Sequence, residues 1–130
     1  MSELRANTIS DAAGTGPVTL TGQYAAKAWG SLQCQGTSSI RDSGNVSSLT
    51  DNGTGDFTIT YTTAFSTANY AFVSAASGID ASDTARGYAS GPQYSSGQTT
   101  TSTRILSSFG GGGFSGRIDY NWVNFAVLDG

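Results

Sequence analysis

The residues able to do chemistry in this chain are few. Histidine is absent, Glu3 is the single glutamate and Lys27 the single lysine. General acid–base catalysis draws first on those residue types, so an enzyme is a poor expectation. Asp80 and Asp83 are the one close carboxylate pair in a stretch that reads as open loop. Glycoside hydrolysis uses two carboxylates flanking the scissile bond, so a polysaccharide-degrading enzyme is the catalytic alternative. The run Asp51-Asn52-Gly53-Thr54-Gly55-Asp56 suggests a calcium loop only superficially, because it lacks the full ligand spacing and the terminal Glu. It reads as a turn. Cys34 has no partner within the chain, so an internal disulfide and a Cys- or His-based metal site are not expected. No cofactor is implied. An unpaired thiol suits assembly in a reducing cytoplasm, and Cys34, if buried, acts as a small apolar group.

Groups suited to contact are more plentiful. Tyr88 and Tyr94 lie near Asp80 and Asp83 in a region poor in aliphatic residues. Aromatic rings give rigid contact area and stack on sugar faces, and the two Asp carboxylates can accept hydrogen bonds from hydroxyls. These four residues are receptor-binding candidates, with ordinary loop packing as the plainer alternative. A second candidate is Phe109-Gly110-Gly111-Gly112-Gly113-Phe114, followed by Ser115-Gly116. Four consecutive glycines have a high ordering cost. They form either an exposed adhesive loop flanked by Phe rings or a flexible connection between strands. No Gly-Lys-Ser/Thr follows, so a phosphate-binding loop is not expected. Trp29 and Trp122 read as core or subunit-interface residues. Arg41 beside Asp42 reads as a surface pair worth little.

Something must position these groups, and the composition says what. The chain has 130 residues, with 37% apolar and only 12% charged side chains, 18 glycines and a net charge of −3. That is one domain. Disorder is opposed by the 11% of aromatic residues and the low net charge. Nucleic-acid binding is opposed by an acidic pI near 4.4 and by six scattered Lys and Arg. No apolar run approaches the ~18 residues of a membrane span, so no membrane insertion is expected. The opening MSELRANTIS has neither a basic n-region nor an apolar h-region, so no secretory signal is expected.

The elements read as strands. In Asp56–Thr62, Phe57, Ile59 and Tyr61 alternate with threonines, the period of a half-buried strand. Asn45–Thr50 precedes it, and Asn52-Gly53 supplies the positive-φ turn residues of a hairpin. Further strands are expected at Ala28–Gln35, Asn69–Ala75, Ala85–Ala89, Thr99–Leu106 and Arg117–Leu128. The last is apolar enough for a central strand buried on both faces in its C-terminal half. Tyr24–Trp29 is a marginal helix or the entry to a strand. The expected architecture is all-β, an antiparallel β-sandwich of jelly-roll-like type over residues 23–130. Residues 1–22 form an extended N-terminal arm without a core of its own. Its contact groups are Leu4, Asn7, Ile9, Pro17, Val18 and Leu20, and ordering it requires other chains, through oligomerisation or attachment.

The segment Ser2-Glu3-Leu4-Arg5-Ala6-Asn7-Thr8-Ile9-Ser10-Asp11-Ala12-Ala13-Gly14-Thr15-Gly16-Pro17 resembles one that recurs in tail-fibre-like proteins of tailed bacteriophages, marine ones especially. Ala26-Lys27-Ala28-Trp29, the stretch Asn45-Val46-Ser47-Ser48-Leu49-Thr50-Asp51-Asn52-Gly53-Thr54-Gly55-Asp56-Phe57-Thr58-Ile59 and Phe65–Tyr70 are similar, in the same order, to the β domain attached to it. The resemblance implies a virion appendage, commonly a homotrimer. The N-terminal segment would attach to other virion proteins, and the β domain would meet a glycan or protein of the host surface. It implies a location in the virion, on tail or head, after assembly in the host cytoplasm. A tail fibre or fibre tip is the first expectation, and a capsid decoration or head-fibre protein the alternative. Several weak sites presented together would supply avidity.

Overall fold

A computed structural model describes residues 26–78, 90–92, 97–111 and 114–129. These form nine strands: β1 Ala26–Gln33, β2 Ser39–Gly44, β3 Val46–Gly53, β4 Asp56–Tyr61, β5 Ala71–Ser77, β6 Ser90–Pro92, β7 Ser102–Gly111, β8 Phe114–Arg117 and β9 Trp122–Leu128. Two antiparallel sheets pack face to face. The first has the order β2-β1-β9-β5; the second has β3-β4-β7-β6, with β8 paired to β7. The chain is an all-β sandwich, as its patterning predicts. The first described strand, β1, pairs with the last, β9, and inside that pair β4 lies against β7. This nesting of distant strands is the jelly-roll-like feature.

Side-chain alternation fixes which face of each strand turns inward. Phe57, Ile59 and Tyr61 of β4 are buried, as are Ala28 and Leu32 of β1, Ile105 of β7, and Val123, Phe125 and Val127 of β9. Burying a side chain of that size is worth roughly 1.5–3 kcal/mol, more than the ~1 kcal/mol net of one hydrogen bond. A slip of one residue would turn all of them to water. β9 corrects one expectation. It is central, between β1 and β5, but only Val123, Phe125 and Val127 are buried, while Trp122 and Asn124 are exposed and Ala126 and Leu128 half-buried. The β3–β4 hairpin matches its expected place, with Leu49 opposite Ile59 and Asp51 opposite Phe57. Its turn is Thr54-Gly55, the last two residues of the expected Asp51–Gly55 turn, because β3 runs on to Gly53.

Gly55 fixes the turn there. It has φ +63°, and a Cβ there would strike the Ser107 carbonyl oxygen and lie 2.7 Å from the Ile118 nitrogen. The backbone is pinned on both sides: Ser107 N–H donates to Gly55 O at 3.0 Å, and Gly55 N–H donates to Asp119 Oδ1 at 2.6 Å. Only glycine satisfies both the backbone angle and the space.

Asn45 performs the matching task between the sheets. It sits between β2 and β3, where the chain leaves the first sheet for the second, at φ 58°. Asparagine tolerates that conformation better than most residues. Its side-chain nitrogen donates to Lys27 O and Thr63 O, and its Oδ1 accepts the Thr63 N–H at 2.7 Å. One amide thus ties β1 to the end of β4.

Polar groups that enter the core are paired, as burial demands. Thr103 Oγ1 lies 2.6 Å from the hydroxyls of both Tyr61 and Tyr70, whose rings pack with Phe65. Ser107 Oγ donates to Ile118 O at 2.6 Å. Cys34 is fully buried and its backbone N–H donates to Tyr120 O. Burial, with a smaller contribution from the Asp119 and Asp51 charges, pushes its thiol up to about 12.

Candidate interaction surface

The inward residues of the first sheet decide what its outer face carries. With Ala28, Gly30 and Leu32 inside, Trp29 points out; with Val123, Phe125 and Val127 inside, Trp122, Asn124, Ala126 and Leu128 turn outward. On β5, Ala71, Val73, Ala75 and Ser77 are exposed. The register then aligns them. Trp29 of β1 and Val73 of β5 both stand opposite Ala126 of β9, so the three form one row across the sheet. Trp29, Val73 and Trp122 are 42%, 57% and 44% exposed, and among the described residues they are the exposed large apolar side chains. All three lie on this one face. Of the two expectations for Trp29 and Trp122, core or subunit interface, the first is therefore corrected: alternation with the inward residues drives both outward.

Each indole has a support. Trp29 lies on Gly44 of β2, so closely that a Cβ on Gly44 would collide with its Nε1. Trp122 lies under Arg41, whose guanidinium carbon is 3.5 Å from the ring centroid. That is cation–π geometry. Arg41 Nη2 also donates to Gln33 Oε1 at 2.8 Å and Asn121 Oδ1 at 2.7 Å. The surface pair expected of Arg41 and Asp42 gives way to these contacts; Asp42 instead accepts the Ser43 N–H. Arg41 Nη1 is buried without a hydrogen-bond partner, so the ring face and the two amide oxygens are what this guanidinium meets.

The opposite side of the sandwich carries an ion-pair cluster that the sequence reading missed. Asp56 opens β4 and is 3% exposed. Arg104 of β7 holds it with two parallel bonds, Nε to Oδ1 and Nη2 to Oδ2, both 2.7 Å. Arg117 of β8 adds Nη1 to Oδ2 at 2.8 Å, and Asn52 donates to Oδ1 at 3.3 Å. The Arg104 bonds hold the carboxyl below its ordinary range, with Asn52 and the two positive charges acting in the same direction against burial. A carboxylate engaged on both oxygens is a clamp between three strands, not a free base. Asp51 is likewise committed, to the Gly53 N–H and to Ser38. The pairing of Thr58 with Arg104, which brings Arg104 next to Asp56 on one face, is a register fact with no signal in the local sequence.

The glycine-rich candidate is partly strand. Phe109, Gly110 and Gly111 end β7 and pair with Gly116, Ser115 and Phe114 of β8. The backbone groups of these residues thus take part in a hairpin rather than a wholly open loop. The Phe109 ring leans on the facing glycine, since a Cβ on Gly116 would lie 3.4 Å from its Cε1. The hairpin's root is fixed by Ile118 N–H on Ser107 O and by Tyr120 OH on Ser108 O. Gly112 and Gly113 lie outside the described residues. So do Asp80, Asp83, Tyr88 and Tyr94, the expected strand at Ala85–Ala89, and the arm residues Leu4, Asn7, Ile9, Pro17, Val18 and Leu20.

Comparison with known proteins adds no relative: no protein-family model, no curated protein and no solved structure matches the chain.

Proposed function

We propose that this chain is a structural and adhesive part of a bacteriophage virion, a tail fibre or fibre tip that attaches to the host surface in several copies, as a homotrimer. The observation that carries the reading is the outer face of the first sheet. A sandwich whose two tryptophans both stand outside, on one face, is built for contact with another surface. The resemblance to tail-fibre-like proteins supports the same reading, with one of the similar segments in this face and the longest one in the second sheet. Ala26–Trp29 opens β1, and Asn45–Ile59 spans the Asn45 tie and the β3–β4 hairpin. The chemistry at hand also favours contact. The engaged carboxylates Asp51 and Asp56 leave neither as a base, and a weak site repeated in several copies gains avidity without a strong single contact.

Adsorption of the labelled, full-length chain to candidate bacterial hosts tests the proposal. Saturable adsorption that competes with the phage is the expected result. Loss of surface polysaccharide on incubation, without adsorption, would replace adhesion with hydrolysis.

A further inference from the structure

We infer that the outer face of the β2-β1-β9-β5 sheet is where copies of this chain associate, with Trp29, Ala126 and Val73 at the centre of the contact. The inference rests on the multi-copy part of the function proposed above and names the surface responsible.

Extent comes first. Four strands at ~4.8 Å spacing and the seven residues of β9 at ~3.3 Å give a face of roughly 19 by 23 Å, or about 440 Å² in plan. The accessible area of a corrugated surface exceeds its plan, which brings the face to the scale of the ~800 Å² that each partner buries in a standard interface. The anatomy fits as well. The middle holds Trp29, Ala126, Val73, Ala75 and the uncharged Asn124, with Leu128 and Ala71 beside them. Interface centres are depleted in charge and enriched in Trp.

Charge selects the occupant. Lys27, Arg41, Asp42 and Asp129 stand around the margin, so both signs are present and one copy need not repel another. The row of Trp29 is Gly44, Trp29, Ala126 and Val73; the next row, Asp42, Ser31, Asn124 and Ala75, carries one charge, on the edge strand β2.

The experiment is light scattering on the full chain across a concentration series, with tryptophan emission read in parallel. The chain has two tryptophans, and both report this face. The expected result is a multimer whose emission shifts to longer wavelength as it dissociates on dilution. Val73→Lys, at an exposed position, is expected to weaken association at least about thirtyfold, the scale of a hot-spot residue, with an unchanged circular dichroism spectrum. A wild-type chain that stays monomeric at every concentration overturns the inference, as does a folded V73K that associates like wild type. If V73K fails to fold, the wild-type dilution series decides alone: an emission shift that tracks dissociation supports the face, and dissociation without a shift overturns it. Adsorption of the same samples to bacteria separates the two proposals, since a monomer that adsorbs refutes this interface and leaves adhesion standing.

Discussion

The indole of Trp29 lies on the bare backbone of Gly44, one strand away on the outer face of the sandwich. The relationship keeps a large ring flat against the sheet instead of free in water. Its consequence is specific. Gly44→Ala leaves the backbone angle acceptable but puts a methyl where the ring rests. Tryptophan emission should move to longer wavelength, while the stability loss stays within about 1 kcal/mol, the range of an exposed strand position. Fluorescence and thermal melts of the variant read both.

Asp56 gives the acid-side prediction. The Arg104 bonds lower its folded-state pKa below the ordinary carboxylate value of about 3.9. The stability it contributes is complete above that value and is lost as pH falls through the lowered one. Asp56→Asn should cost about 1–2 kcal/mol at neutral pH. That is less than a fully buried pair would lose, because both arginines are half in water. The difference between wild type and variant should shrink below about pH 4. Urea melts from pH 7 down to pH 2.5 measure it.

Cys34 gives the alkaline side. Its thiol is raised to about 12 by burial, against about 8.5 in an unfolded chain. The neutral form is favoured in the fold, so its contribution is complete below about pH 8.5 and is lost as pH rises toward 12. Native protein at pH 8 should resist a thiol reagent and react fully in denaturant. Rapid labelling of the folded chain would contradict the burial.

Gly55→Ala should be among the most damaging substitutions in the chain. It combines a positive φ with collision against the Ser107 carbonyl and crowding against Ile118. A loss of about 3 kcal/mol or more is expected, since strain at a special φ and overpacking act together. Gly53→Ala, also at positive φ but with open space around it, should cost clearly less. Paired denaturation curves separate the steric share from the backbone share.

Asn45→Ala removes three hydrogen bonds at the joint between the sheets. A loss of about 1–3 kcal/mol is expected. Asn45→Gly eases the backbone but forgoes the same bonds, so it should recover only a part. Hydrogen exchange at Thr63, whose amide is held by Asn45 Oδ1, gives a local readout.

Much of the fold was legible because it rests on alternation. Phe57, Ile59 and Tyr61 announce one inward face, and the β3–β4 hairpin follows from their spacing. The turn was legible as Asp51–Gly55, but not which of those residues close it. Asn52-Gly53 carries the stronger local turn signal, yet Gly55 is the residue enclosed by Ser107 and Ile118, a constraint from residues more than fifty positions away. The tryptophans show the same limit. Alternation left open whether Trp29 faces in or out, and only its partners Gly44 and Ala126 decide. The Asp56 clamp was invisible because Arg104 and Arg117 reach it through pairing register. Local sequence reports which residues share a face; it does not report which strands become neighbours.

The central claim is that the chain works by contact, in many copies, on a viral particle. Electron cryomicroscopy of phage particles purified from a culture that carries the gene, with mass spectrometry of the same sample, tests that most directly. The account predicts threefold clusters of the sandwich on the particle exterior, with the Trp29 faces turned toward one another. Particles that lack the chain altogether would contradict it.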